Sequence, residues 1–254
     1  MTIVVYDGSF AGLLTAFFEV YEYKFEQVFI QRIEGVNGSL FGMLHTVITD
    51  EGKSKRVYKK LQERLTPAAT RQLYDAYLSE LKDIENVLLR YVRYVLKEKI
   101  TVENNYANAD VLFVKQTSRK VHREKHRMEA FVRFQLTRDG LYYCIIQPDY
   151  NVLPLISKHF ENRYADQRWL IYDSHRKYGL YYDLGKVEEV QMNFETNLSD
   201  RQTLATINDE HEDLYKKLWQ QYFSSVNIVA RKNMKLHIQH MPKRYWRYLT
   251  EKKS

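Results

Sequence analysis

Apolar residues change their period along this chain, and each change marks an element. Ile3 to Tyr6 is a short apolar run that reads as a strand, and Asp7-Gly8-Ser9 adds a turn with a helix-capping side chain. Phe10, Leu13, Leu14, Phe17, Phe18 and Tyr21 then recur at helical spacing. Such a strand–turn–helix opening can hold a phosphate at the helix N-terminus or be an ordinary capped helix. Val28 to Arg32 and Leu44 to Thr49 read as further strands. From Lys53 to about residue 130 the period is helical. Thr66-Pro67 is an N-cap followed by proline, and Leu73, Tyr77, Leu81, Ile84, Leu88, Val92 and Val95 form an apolar stripe. A break near Lys82-Asp83 is expected, with Asp83 capping a second helix.

The helix expected over 109–130 has two faces. Lys115, Arg119, His122 and His126 fall on one arc, flanked by Arg123 and Lys125, while Phe113, Val114, Val121 and Met128 lie opposite. Period two then takes over. Phe131 to Thr137 and Leu141 to Gln147 flank Asp139-Gly140, a signal for a two-residue hairpin, and pairing Arg138 with Leu141 would set its register. That register puts Val132, Phe134, Leu136, Tyr143 and Ile145 on a core face, and Arg133, Gln135, Thr137, Tyr142, Cys144 and Ile146 on a mixed one. Asn151 is expected to cap a helix whose Val152, Leu155, Ile156, His159 and Phe160 share a face, with His159 buried. Trp169–Asp173 and Tyr178–Asp183 make a second hairpin around Ser174-His175-Arg176-Lys177, and 186–192 another strand. Residues 209–223 read as a helix, and Pro242 starts a short final one. The sum is an α+β fold: an antiparallel sheet of hairpins, a helical block over about 53–130 and C-terminal helices, without alternating βαβ units. Scarce glycine and proline favour a single domain over 1–254, with 53–130 as a possible helical sub-domain.

Charge sharpens this picture. The chain has 39 Lys+Arg and 32 Asp+Glu in 254 residues, yet residues 227–254 carry eight bases against Glu251, and 115–138 eight against Glu124 and Glu129. The remainder is net acidic. Two concentrated basic blocks on an acidic body point to a polyanion-binding surface, the alternative being solvated helix faces and a basic tail. No apolar run is long enough to span a membrane, no signal peptide is legible, and a single cysteine, Cys144, excludes an intramolecular disulfide; the expected compartment is the cytoplasm.

Candidate chemistry is sparse. Asp173 and His175 share a hairpin tip and could pair as acid and base, and Asp149 stands beside them in the central region; turn and cap roles suit the same residues. His122 and His126 have metal-ligand spacing on a helix but lie among cations, so no metal site is assigned. His237 and His240 have no Cys or carboxylate near them. Phosphate-cradling, dinucleotide, CxxC and nucleophile-elbow patterns are absent, and no cofactor is expected. The run from Gln239 to Tyr248 interleaves cations with aromatics. His240, Lys243, Arg244, Trp246 and Arg247, with Lys115, Arg119, His122, Arg123, His126 and Arg133, form the nucleic-acid-binding candidates: cations for phosphates, rings for unstacked bases.

Several strings resemble a bacterial family labelled "probable DNA metabolism protein": YDGSFAGLLTAFFEVY, HTVITDEGKSKRV, HRMEAFVRFQ, the stretch from PDYNVLPLISKHF to HRKYGLYYD, and LWQQYFSSVNIVARKNMKLHIQHMPKRYWRYL. The resemblance covers nearly the whole chain. It implies association with a radical-SAM protein of DNA modification or repair, and relation to a domain fused to uracil-DNA-glycosylase-superfamily proteins. It supplies no catalytic residue; His126, Asp149, His159, Asp173, His240 and Arg244 lie inside the matching strings. Three functions are therefore open: a DNA-binding accessory protein that prefers single-stranded or damaged DNA, a glycosylase- or nuclease-like enzyme using Asp149, Asp173 and His175, or an interaction partner of a radical-SAM protein.

Overall fold

The computed structural model describes residues 1–33, 43–98, 100–137, 140–191 and 241–249. The chain divides into two compact units, Met1–His122 and Arg123–Ser254, each with its own sheet. The α+β class holds, with helices over much of the block expected to be helical. No helix among the described residues is long and apolar enough to cross a membrane.

In the first unit, β1 (Thr2–Tyr6) lies between β2 (Val28–Arg32) and β3 (Met43–Thr46), and both pairings are parallel. Parallel neighbours need a crossover. Helix α1 (Phe10–Glu22) supplies it, so β1–α1–β2 is a βαβ unit in a parallel sheet, where antiparallel hairpins without βαβ units were expected. Ser9 caps α1 by accepting a bond from the Gly12 amide at 2.9 Å. Gly8 takes a positive φ that favours glycine. The helix N-terminus is filled by the protein's own carboxylate: Asp7 accepts from the Ser9 amide (2.9 Å), the Ser9 hydroxyl (2.7 Å) and the Thr49 hydroxyl (2.7 Å). Burial opposes its charge, but these bonds still hold Asp7 below the usual carboxylate range. The opening is thus a capped helix, and an external phosphate would have to displace Asp7.

Helices α2 (Glu51–Gln62), α3 (Pro67–Tyr77) and α4 (Ile84–Lys97) follow. Asp83 stands at the N-cap position of α4 with φ 68° but makes no side-chain cap bond. Its carboxylate accepts instead from Asn86. Asn86 also accepts from the Ile30 amide (2.8 Å) and donates to the Ile30 carbonyl (3.0 Å). One buried amide thereby satisfies both backbone groups of Ile30 on this edge strand, as a further strand would.

Helix α5 (Ala109–Phe131) leads into the second unit, whose sheet runs in the order β4 (Gln135–Leu136), β5 (Tyr142–Ile146), β6 (Trp169–Asp173), β7 (Tyr178–Tyr182), β8 (Val187–Gln191). The β4–β5 and β6–β7–β8 pairings are antiparallel as the hairpin pattern predicts, but β5 and β6 are parallel, with α6 (Leu153–Arg163) between them. The β4–β5 register differs by one residue from the expected one: Gln135 opposes Tyr143 and Leu136 opposes Tyr142. The Thr137 amide bonds to the Leu141 carbonyl and Gly140 takes φ 76°, so the connection is a three-residue loop closed by a left-handed glycine. Arg138 and Asp139, on which the two-residue reading rested, lie outside the described residues. The slip changes which residues share a face: Gln135 joins Tyr143 and is buried with it, Leu136 joins Tyr142, and Cys144 is buried while Leu136 and Ile145 are half-exposed.

Every residue of β6 is buried, and Trp169 packs with Phe134, Phe160 and Tyr182. Gly179 on β7 is required by close approach, since a Cβ there would stand 2.8 Å from the Ile171 carbonyl oxygen. Asn151 does not cap α6, which begins behind Val152 without a side-chain cap; its amide oxygen accepts from the Tyr178 hydroxyl. His159 is half-exposed rather than buried, its ring facing Glu129 at 3.9 Å. A 3₁₀ turn, Lys243–Tyr248, stands behind Pro242, where a short helix is expected. The helix expected over 209–223 lies outside the described residues.

Candidate functional site

Helix α5 docks through Val111, Val114, Thr117, Ser118, Val121, Glu124 and Met128, spaced three and four apart. Arg119, Lys120, His122, Arg123 and His126 are exposed, and Lys115 is half-exposed. Phe113, expected on the docked face, is exposed. The basic stripe therefore forms, but part of it is tied down. In the first unit, His122 Nε2 lies 2.9 Å from Asp75 Oδ2, to which the Ser118 hydroxyl also donates at 2.8 Å. Burial pushes Asp75 above the usual carboxylate range, and the Ser118 bond and His122 only partly offset it. In the second unit, Glu129 holds His126 at 3.1 Å and Lys125 at 3.2 Å. Each stripe imidazole thus already has its own carboxylate. Lys115, Arg119, Lys120 and Arg123 have no ion-pair partner among the described residues.

The second unit gathers more of the candidates around Glu124, whose side chain is 1% exposed. Proline 148 closes β5, and the next amide, that of Asp149, donates to Glu124 Oε1 at 2.8 Å. The Tyr245 hydroxyl donates to the same oxygen. Arg127 reaches Oε2 at 3.4 Å. Arg244 Nη2 touches Glu124 Oε2 at 3.4 Å, Asp149 Oδ2 at 2.5 Å and the Tyr245 oxygen at 2.6 Å. Two carboxylates therefore share one guanidinium nitrogen, one deeply buried and the other half-exposed at 46%. Partial burial, and then the like charge of Glu124, push the Asp149 carboxyl up, outweighing Arg244, Arg127 and Arg176. Tyr245 is driven well above the phenol range by burial and by Glu124.

Asp173 is fully buried and organises its own turn. It accepts from the amides of His175 (2.9 Å) and Arg176 (3.2 Å) and pairs with Arg176 Nη1 at 2.8 Å. Arg176 extends the network to the carbonyls of Pro148 (3.2 Å) and Asp149 (3.3 Å). His175 gives Asp173 its backbone N–H and stands exposed on the turn, so in place of the Asp173–His175 side-chain pair that the sequence allowed, Asp173 pairs with Arg176.

The 3₁₀ turn is anchored by Tyr245 and Leu249, both buried. Lys243, Arg244 and Arg247 are exposed and Trp246 is half-buried, its indole N–H donating to the Met241 carbonyl. The guanidinium of Arg244 lies 4.5 Å over the Tyr245 ring, and that of Arg247 4.7 Å over the Tyr248 ring. Tyr248 is itself fixed by donating to Gln147 at 3.0 Å. Arg133 bends back to the Ala130 and Val132 carbonyls at 2.7 and 3.1 Å, closing the end of α5. His237 and His240 lie outside the described residues.

Sequence reasoning brought Asp149, Arg244 and the stripe into view but passed over Glu124, the residue that joins them. Its signal is present in the periodicity: it is the one acid among the docked positions of α5. The approach of Tyr245 and Arg176 from distant segments has no such local signal. A family described as a domain of unknown function, DUF4130, matches residues 82–251. None of the curated proteins compared with the chain matches it.

Proposed function

The chain belongs to the DUF4130 family, and because that description names no reaction, we propose from the geometry that it is a DNA-binding accessory protein of DNA metabolism or repair. The observation that carries the reading is the 3₁₀ turn Lys243–Tyr248. It presents three exposed cations, two of them lying over tyrosine rings, on a base fixed by the buried Tyr245–Glu124 bond. Cations on rigid aromatic supports suit phosphates beside unstacked bases, hence single-stranded or damaged DNA. Arg123, in the same unit, adds exposed charge. The family resemblance of the chain supports DNA, rather than another polyanion, as the target.

Fluorescence anisotropy with a labelled single-stranded oligonucleotide across a salt series tests this. Affinity should fall steeply with salt, and Arg247→Ala and Lys243→Ala should each shallow the slope by about 0.7 for a lost phosphate contact. Absence of binding at low salt would overturn the reading.

A second reading has its own observation: Asp149, with its raised pKa beside buried Glu124, is a candidate general acid on a bound nucleic acid. Incubation with uracil-containing, alkylated and single-stranded DNA, with and without Mg²⁺ or Mn²⁺, would reveal a product that Asp149→Asn abolishes. Inertness of the unaltered protein in every arm removes this reading and leaves the first standing. Pairing with a radical-SAM protein through the same cations is the third arrangement, and there DNA should compete with the partner in co-purification.

A further inference from the structure

The first unit carries a basic element that neither basic block of the sequence includes. Helix α2 (Glu51–Gln62) holds Lys53, Lys55, Arg56, Lys59 and Lys60 against the single acid Glu51. It buries little besides Ser54 and Leu61. Lys53 is committed to Glu19 and Glu22, at 2.9 and 3.0 Å. Lys55 and Lys60 make exposed pairs with Glu51 and Glu63, of the kind worth little in water. Arg56 and Lys59 have no ion-pair partner among the described residues. Arg56 is held 4.9 Å over the Phe18 ring, which keeps its guanidinium extended instead of free to fold away.

Beside this cationic row lies an open cavity of about 490 Å³ between α1, α2 and α4. Phe17, Phe18, Tyr21, Val57, Val92 and Leu96 line it, with Arg56, Lys60 and Glu22 at its edge, the last already paired with Lys53. That volume accepts one or two large apolar side chains and is in the range of ligand sites. The lining offers apolar and aromatic groups but few fixed donors or acceptors for reading a base edge. The cations extend along α2 over more than a helical turn, further than the single carboxylate of a fatty acid could use. An apolar anchor flanked by several carboxylates at helical spacing matches both features.

We infer that this groove binds an acidic amphipathic segment of a partner protein, its apolar side chains entering the cavity and its carboxylates facing Arg56, Lys59 and Lys60. This is a second interaction surface, in a different unit from the candidate DNA-binding turn, so either proposal can fail alone.

The test uses the whole protein and a fluorescein-labelled helical peptide of about three turns, with Leu and Phe at i and i+4 on one face and Glu elsewhere. Anisotropy at about 0.1 M salt should report binding that Arg56→Glu weakens about tenfold and Leu96→Gln several-fold, with unchanged far-UV circular dichroism. A control peptide with Leu and Phe replaced by Ser should bind much more weakly. Equal binding of the control would overturn the inference by reducing it to bulk charge attraction. Displacement of the peptide by equimolar single-stranded DNA, with DNA binding lost in Arg56→Glu, would overturn it in favour of a nucleic-acid surface. No binding of the Leu/Phe peptide would also overturn it.

Discussion

Asp75 and Glu124 are both buried carboxylates bound to residues of helix α5 or carried by it, yet they are solvated by the protein in opposite ways. Asp75, in the first unit, is met by a hydroxyl and an imidazole, Ser118 and His122. Glu124, in the second, is met by the Tyr245 hydroxyl, the Asp149 amide and the guanidinium groups of Arg127 and Arg244. Burial holds the Asp75 carboxyl above the usual range, and the Ser118 hydroxyl and His122 offset that only in part. Guanidinium groups compensate the charge itself. The first arrangement locks an exposed histidine of the stripe to its unit. The second fixes the turn that carries the cations assigned to DNA.

Removing the better-compensated carboxylate should therefore cost more. Glu124→Ala leaves a buried hydroxyl and an amide without their acceptor, Arg127 without this counter-charge, and Arg244 with Asp149 alone. The expected destabilisation is about 3 kcal/mol in urea unfolding, below the upper range because both arginines are partly exposed. Asp75→Ala should cost about half as much. Equal losses would show that the guanidinium partners add nothing. Tyr245→Phe deletes the hydroxyl's bond to Glu124 and the one it accepts from Arg244, and should cost about 1 kcal/mol while weakening DNA binding, because the turn loses its anchor.

Protonation separates the two sites further. Because Asp75 has a raised pKa in the folded protein, its proton contributes stability that is complete below the ordinary carboxylate value of ~3.9 and is lost as pH rises through the raised value. Asp75→Asn cannot ionise and escapes that loss. Its stability relative to the unaltered protein should rise between about pH 3 and pH 7 in parallel unfolding titrations. A fall over the same interval would mean that the ionised Asp75–His122 pair outweighs the desolvation of Asp75.

The same contrast explains what the sequence made legible. Periodicity located α3, α4 and α5 because each has one buried face and a local signal at its ends, and the β6–β7 hairpin was legible as two short runs around a turn, both buried on nearly every residue. It also pointed to the exposed Arg119 and Arg123, since a docked Val114/Val121/Met128 face leaves them outward. Pairing order is not local. Nothing in Ile3–Tyr6 or Val28–Arg32 states that the two strands run parallel, and the one-residue slip between β4 and β5 turns on whether Thr137 or Arg138 closes the loop. The Glu124 cluster was hidden for the same reason. Asp149 and Arg244 come from separate segments, and only the tertiary fold brings the Asp149 amide and the Arg244 guanidinium to Glu124, while Arg176, from a third segment, pairs with Asp173 and reaches the Asp149 carbonyl.

The smallest expected effect tests the link between that cluster and binding most directly. Arg244 is exposed enough to reach a phosphate, with 43% of its side chain accessible, yet Asp149 holds it at 2.5 Å. A phosphate must compete with that carboxylate. Asp149→Asn removes the competing charge and leaves Glu124 to keep Arg244 in place, so affinity for single-stranded DNA should rise about two- to threefold and the salt slope should steepen. Arg244→Ala should act in the opposite direction, and in the double variant the gain from Asp149→Asn should vanish, because no guanidinium remains to be released. If Asp149→Asn raises affinity equally with and without Arg244, the carboxylate merely repels the backbone at a distance, and Arg244 belongs to the scaffold of the turn instead of to its binding face.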